Sequence, residues 1–165
     1  MGVRRVLAAG AVALAAVAAP ADAGRVPTPV LTATGGAQRG NPVTYSQTGR
    51  SSDNTCWTSI ADGVPVDPDP VRHDAARGLR IHLARADKPV AVSVWIDRSP
   101  AGLPVATASE SAYSLRPSTT RGRTTGWDVL LPPPGAGDLR LSLTARWRGD
   151  CGHDEGTWRF HVLAL

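Results

Sequence analysis

Apolar and polar residues alternate along most of this chain. In Leu79-Arg80-Ile81-His82-Leu83-Ala84-Arg85 the leucines and the isoleucine fall on one side, with Arg80 and His82 on the other. Val90, Val92, Val94 and Ile96 share a face, opposite Ala91, Ser93 and Trp95. Trp127, Val129 and Leu131 form a third set, and Trp158, Phe160, Val162 and Ala164 another. The longest is Leu139, Leu141, Leu143, Ala145 and Trp147, with Arg140, Ser142, Thr144, Arg146 and Arg148 outside. A period of two is that of a strand with one face buried. Residues 30–34, 43–47, 55–60 and 105–109 add weaker strands. Turn residues separate the runs: Gly35-Gly36, Arg39-Gly40-Asn41-Pro42, Asp67-Pro68-Asp69-Pro70, Ser99-Pro100, Pro132 to Pro134 and Gly135-Ala136-Gly137. Around His73 to Arg77 the pattern supports a turn at most. Short half-buried strands at near-even spacing predict an all-β antiparallel sandwich of about seven to nine strands.

The first 23 residues do not belong to that pattern. Arg4 and Arg5 are followed by Val6 to Ala19, which hold only Ala, Val, Leu and one Gly. Pro20 then breaks the run, and Ala21-Asp22-Ala23 supplies a small-x-small cleavage site. This is the layout of a secretory signal peptide. As a helix the apolar run spans about 21 Å, short of the ~30 Å of a bilayer core. The expectation is cleavage after Ala23, leaving residues 24–165 as a single β-sandwich domain with no membrane span. Arg4-Arg5 raises the twin-arginine route, but its surroundings match that motif poorly and general secretion is favoured.

Export changes the reading of the only two cysteines, Cys56 and Cys151. In an oxidising compartment an isolated pair forms a disulfide. The rival readings are two free thiols or two metal ligands, and the pair lacks the close spacing of a metal site. The 165 residues carry 18 basic and 14 acidic side chains, for a formal net charge of +4. Lys88 is the only lysine, and Ala, Gly and Pro are abundant, a bias typical of GC-rich, actinobacterial coding. The arginines form no run and are not interleaved with aromatics, which argues against a nucleic-acid partner.

The tail from Pro132 through Leu139-Arg-Leu-Ser-Leu-Thr-Ala-Arg-Trp147, then Gly156-Thr-Trp-Arg-Phe-His-Val162, resembles the last hairpin of bacterial immunoglobulin-like domains. Thr55-Cys56-Trp57 resembles the Cys-Trp element of small exported Gram-positive proteins of unknown role. In some of those the cysteine pairs with a nearby downstream one, whereas here Cys151 is the only partner. The resemblance implies a small secreted immunoglobulin-like sandwich, and such a fold hosts many functions.

No GxSxG, HExxH, P-loop or GxGxxG motif occurs, so no catalytic residue and no cofactor is expected. Asp62, Asp67, Asp69, His73 and Asp74 form an acidic stretch, but Pro68 and Pro70 stiffen it and the spacing is not that of a calcium loop; it reads as a solvated loop. Asp150-Cys151-Gly152-His153-Asp154-Glu155 reads as a polar hairpin loop between the last two strands. A disulfide would draw residues 50–60 against it, bringing Asp53, Asn54, His153, Asp154 and Glu155 to one end of the sandwich. His153 and Asp154 are therefore candidate binding residues. Trp95 is a third, because alternation places it outside, although the favoured reading has the N-terminal segment or the Pro100 to Gly126 connection covering it. His82 and His161 are read as lone surface histidines. Ser118 to Gly126 reads as a flexible loop, whose Arg121 and Arg123, with Arg116, could meet an acidic polymer. The favoured function is a secreted, monomeric, non-catalytic binding module acting on an unknown extracellular or cell-envelope ligand. The alternatives are an inhibitor or effector of another protein and a metal-assisted hydrolase.

Overall fold

The alternating runs form strands, and the strands form two sheets. A computed structural model describes residues 26–63, 66–98 and 108–165. The expected leader and most of the 105–109 candidate strand lie outside these residues. In chain order the strands are β1 (Val30–Ala33), β2 (Gly36–Arg39), β3 (Asn41–Arg50), β4 (Cys56–Asp62), β5 (Val71–His73), β6 (Leu79–Leu83), β7 (Ala91–Asp97), β8 (Ser109–Glu110), β9 (Ser114–Thr120), β10 (Arg123–Leu131), β11 (Gly137–Gly149) and β12 (Gly152–Ala164). The small sheet has the order β2-β1-β6-β10-β9 and the large sheet β4-β3-β12-β11-β7-β8. The described residues thus hold twelve strands and no helix.

Each sheet hides one face. From the small sheet Leu31, Leu79, Ile81, Leu83 and Val129 point inward. Leu139, Leu141, Leu143, Phe160 and Val162 meet them from the large sheet, all completely or almost completely buried in one cluster. These are the residues on the apolar side of each alternating run, so the period of two directly places the core between stacked sheets. Trp147 and Trp158 join the core, their rings edge to face with centroids 6.5 Å apart. Trp57 and Trp95 do not join it.

Several elements depart from the sequence expectation. The strands are short and frequent, so twelve replace seven to nine. The sheets are antiparallel except for β5, which pairs parallel to β12 through Val71↔Val162 and His73↔Ala164. The supposed loop Ser118 to Gly126 is the tip of a hairpin. Thr120 pairs with Arg123, and Arg121 and Gly122 both take positive φ, 51° and 78°, as a two-residue type I′ turn requires. The supposed loop Asp150 to Glu155 is mostly strand. Gly149 pairs with Gly152, so only Asp150 and Cys151 turn the chain.

A candidate ligand-binding shelf beside the disulfide

Cys56 opens β4 and Cys151 sits in the β11–β12 turn; their sulfurs are bonded at 2.06 Å, with Cα atoms 5.6 Å apart. The bond pins the β3–β4 hairpin to the tip of the longest hairpin in the large sheet. Asp53 and Asn54 lie in the turn between β3 and β4, just before Cys56. Asn54 takes φ 68° and accepts a hydrogen bond from Arg50 Nη1 at 2.8 Å. The Ser51 hydroxyl, and after it the Thr55 N–H, hold the Asp53 carboxyl below the ordinary aspartate range.

His153 and Asp154 separate at this end. Consecutive strand residues face opposite sides, so His153 is exposed on the outer face of β12 while Asp154 turns inward and is 1% exposed. Asp154 Oδ1 accepts hydrogen bonds from the Thr48 N–H at 2.8 Å and the Thr48 hydroxyl at 3.1 Å. Its Oδ2 accepts one from Arg85 Nη1 at 2.9 Å. Arg85 is also buried, and its guanidinium lies over the Trp147 ring, 5.4 Å from the centroid. Gly149 completes the cluster, since a Cβ there would fall 2.1 Å from Thr48 Oγ1 and 2.8 Å from Asp154 Oδ1. Asp154 is thus a satisfied internal carboxylate, and its neighbour Glu155 is held by Arg146 Nε at 2.5 Å on the outer face.

The other sequence candidates are scattered. Trp95 is 45% exposed, on the outer face of β7 beside Glu110 of β8, so alternation gives its orientation and the expected covering of its ring is not found among the described residues. Asp67 meets Arg140 Nε at 2.7 Å and Arg159 at 3.6 Å. Asp74 pairs with Arg77, and His73 is buried, with Nδ1 accepting the Thr34 N–H. His82 meets Asp128 Oδ1 at 2.8 Å on the small sheet, whereas His161 meets Asp138 Oδ1 at 2.6 Å on the large one. Both histidines have carboxylate partners, and they lie on opposite outer faces. Among the described residues no three His, Cys, Asp or Glu side chains gather as a metal site.

The residues that sequence reasoning passed over are Tyr45 and Trp57. Gly156 of β12 pairs with Tyr45 of β3, and Tyr45, Gln47 and Gly49 pair in turn with Ala61, Ser59 and Trp57 of β4. Directly opposed residues share a face, so these six lie on one face of the β3–β4 hairpin, which meets the inner face of the large sheet at Gly156. Beyond β12 that face is left open, with Tyr45 40% and Trp57 44% exposed. The Trp57 indole lies flat across Gly49, where a Cβ would fall 2.3 Å from Cζ2. At the root of the shelf is an open cleft of about 400 Å³, lined by Val26, Thr28, Pro42, Tyr45, Gln47 and Trp158. Two aromatic faces are therefore presented with Gln47 and Ser59 between them, on a hairpin held at its far end by the disulfide. The available signal was parity: Trp57 shares its side of β4 with Ser59 and Ala61, too polar a set for a buried tryptophan. No helix of the described residues is long and apolar enough to cross a membrane. No family model, curated protein or solved structure matches the chain.

Proposed function

We propose that this chain is an exported, non-catalytic binding module of the immunoglobulin-like sandwich type, acting at the cell envelope or in the medium through the β3–β4 shelf. The observation that carries the reading is the pair of accessible aromatics, Tyr45 and Trp57, on one face of a disulfide-pinned hairpin. Aromatic rings offer large flat apolar area at low entropic cost, and interleaved amide and hydroxyl groups fix orientation. A glycan strand, with apolar sugar faces and peripheral hydroxyls, is the ligand class that fits such a surface. The hydrolase alternative would use His153 with the loop carboxylates, and one of these, Asp154, is already engaged by Arg85 and Thr48. The alternative of binding another protein is favoured by one feature, the β4 edge strand with Ile60 70% exposed on the opposite face, where an extended segment could add to the sheet.

The test is co-sedimentation of the mature protein with purified Gram-positive cell-wall sacculi. Tyr45→Ala/Trp57→Ala is expected to lower affinity about tenfold or more, the loss of two stacking contacts, while Trp95→Ala binds as wild type. Unchanged binding by the double variant would remove the shelf as the contact surface. Loss on Ile60→Lys alone would move the site to the β4 edge.

A further inference from the structure

The two outer faces of the sandwich carry their arginines in opposite electrostatic settings. On the large sheet, Arg140 meets Asp67 and Asp138, Arg159 meets Asp67, and Arg146 meets Glu155. Charge on that face is largely neutralised. On the small sheet the outward residues form two cross-strand rows. One runs Arg39, Val30, His82, Asp128, Arg116, and the next Ala37, Thr32, Arg80, Leu130, Ser114. Arg39, Arg80 and Arg116 are exposed, and none has an ion-pair partner among the described residues. Asp128 is the only carboxylate in the rows, and its oxygen is directed to His82 Nδ1. The His82 ring is packed over Gly126, where a Cβ would fall 2.5 Å from Cε1, so the pair is fixed in place. Arg121 and Arg123 extend the basic surface to the β9–β10 turn, also exposed.

Neighbouring strands lie about 4.8 Å apart and alternate residues about 6.8 Å apart along a strand, so Arg39, Arg80 and Arg116 form a zigzag with steps of about 12 Å. Guanidinium groups favour planar oxyanions, which they bind in bidentate fashion. Nucleic acids carry a charge every ~3.4 Å along a strand, far denser than this spacing. We propose that the outer face of the small sheet is a second binding surface, which takes a linear acidic polysaccharide whose carboxylates recur at roughly the 12 Å step of these arginines. The flat, short-side-chain ground between them (Thr32, Ala37, Ser114) lets an extended chain lie across the strands. This surface is on the side of the molecule opposite the large sheet's outer face and does not use the shelf residues.

The experiment is retention of the mature protein on an immobilised glucuronate polysaccharide with one carboxylate per disaccharide, over a series of salt concentrations. Wild type is expected to be retained at low salt and released as salt rises. Arg39→Ala/Arg80→Ala/Arg116→Ala should weaken binding about tenfold or more and flatten the salt dependence by about one unit per arginine. Arg146→Ala/Arg148→Ala/Arg159→Ala removes the same charge from the opposite face and should bind as wild type, as should Tyr45→Ala/Trp57→Ala. An unchanged thermal midpoint confirms that the variants are folded. Equal losses in the two arginine variants would show a net-charge effect and overturn the proposal. So would failure of wild type to be retained, or tighter binding of polyphosphate or single-stranded DNA at equal charge concentration.

Discussion

Asp154 follows His153 in the chain, yet the two side chains live in different media. His153 faces water, while Asp154 sits between the sheets against Arg85, Thr48 and Trp147. A buried ion pair is tolerated only when its remaining hydrogen-bonding capacity is met. Here Thr48 supplies two further donors to the carboxylate, and the Trp147 ring supplies a face to the guanidinium. The Trp147 Nε1–H is the one buried side-chain polar atom of the described residues without a partner, which adds to the cost of this corner. Removing Asp154 leaves the buried guanidinium with only the exposed Asp87, 3.4 Å from its Nε. Asp154→Ala is expected to destabilise the domain by about 3–5 kcal/mol, read as a lowered urea midpoint. Arg85→Met/Asp154→Leu should recover most of that loss, since an apolar pair of similar volume replaces both charges. A loss below about 1 kcal/mol in the single variant would show that water reaches the site. The sequence carried a signal that the reading of Asp150 to Glu155 as a loop did not use: Arg85 continues the parity of Leu79, Ile81 and Leu83, and Asp154 that of Trp158 and Phe160. A charge on the apolar side of a strand announces a buried partner, but only the fold names which one.

At the scale of the element, the β3–β4 hairpin is the outlier. Nearly every residue of β4 is exposed, so burial contributes little to holding it, and its place depends on the ladder to β3 and on the Cys56–Cys151 bond. Cross-linking across 95 positions restricts the unfolded chain by about 4–5 kcal/mol on the loop-entropy model. Cys56→Ser/Cys151→Ser is expected to lose a large part of that stability. Amide exchange should rise most in β4 and the 51–55 turn and least in β11 and β12. Uniform acceleration across both sheets would contradict this local role. The strong runs became β6, β7, β10, β11 and β12 because each alternates long enough to bury a face. β2, β5 and β9 were missed because they are short or flank the sheet, with no apolar parity to reveal them. The β9–β10 hairpin did carry a signal: Thr119-Thr120 and Thr124-Thr125 bracket Arg121-Gly122-Arg123, β-branched residues on either side of a Gly-containing turn.

At the scale of the whole molecule, the sandwich separates structural from functional chemistry. The core between the sheets is apolar, and the buried polar side chains of the described residues are His73 and the Arg85–Asp154 ion pair. On the large sheet's outer face Arg140, Arg146 and Arg159 are paired with carboxylates. Exposed on other surfaces are the aromatic rings of Tyr45 and Trp57 and the arginine face of the small sheet. Fold class and disulfide could be read from periodicity and cysteine count. The shelf could not, because it depends on how far one sheet extends past the other. The most direct test of the shelf is amide and indole chemical-shift mapping of residues 24–165 during titration with soluble wall glycan fragments stripped of their stem peptides. The account predicts shifts centred on Tyr45, Gln47, Trp57 and Ser59, with the Trp57 indole N–H among the largest. Shifts centred instead on Trp95 or His153, or none at saturating glycan, would contradict it.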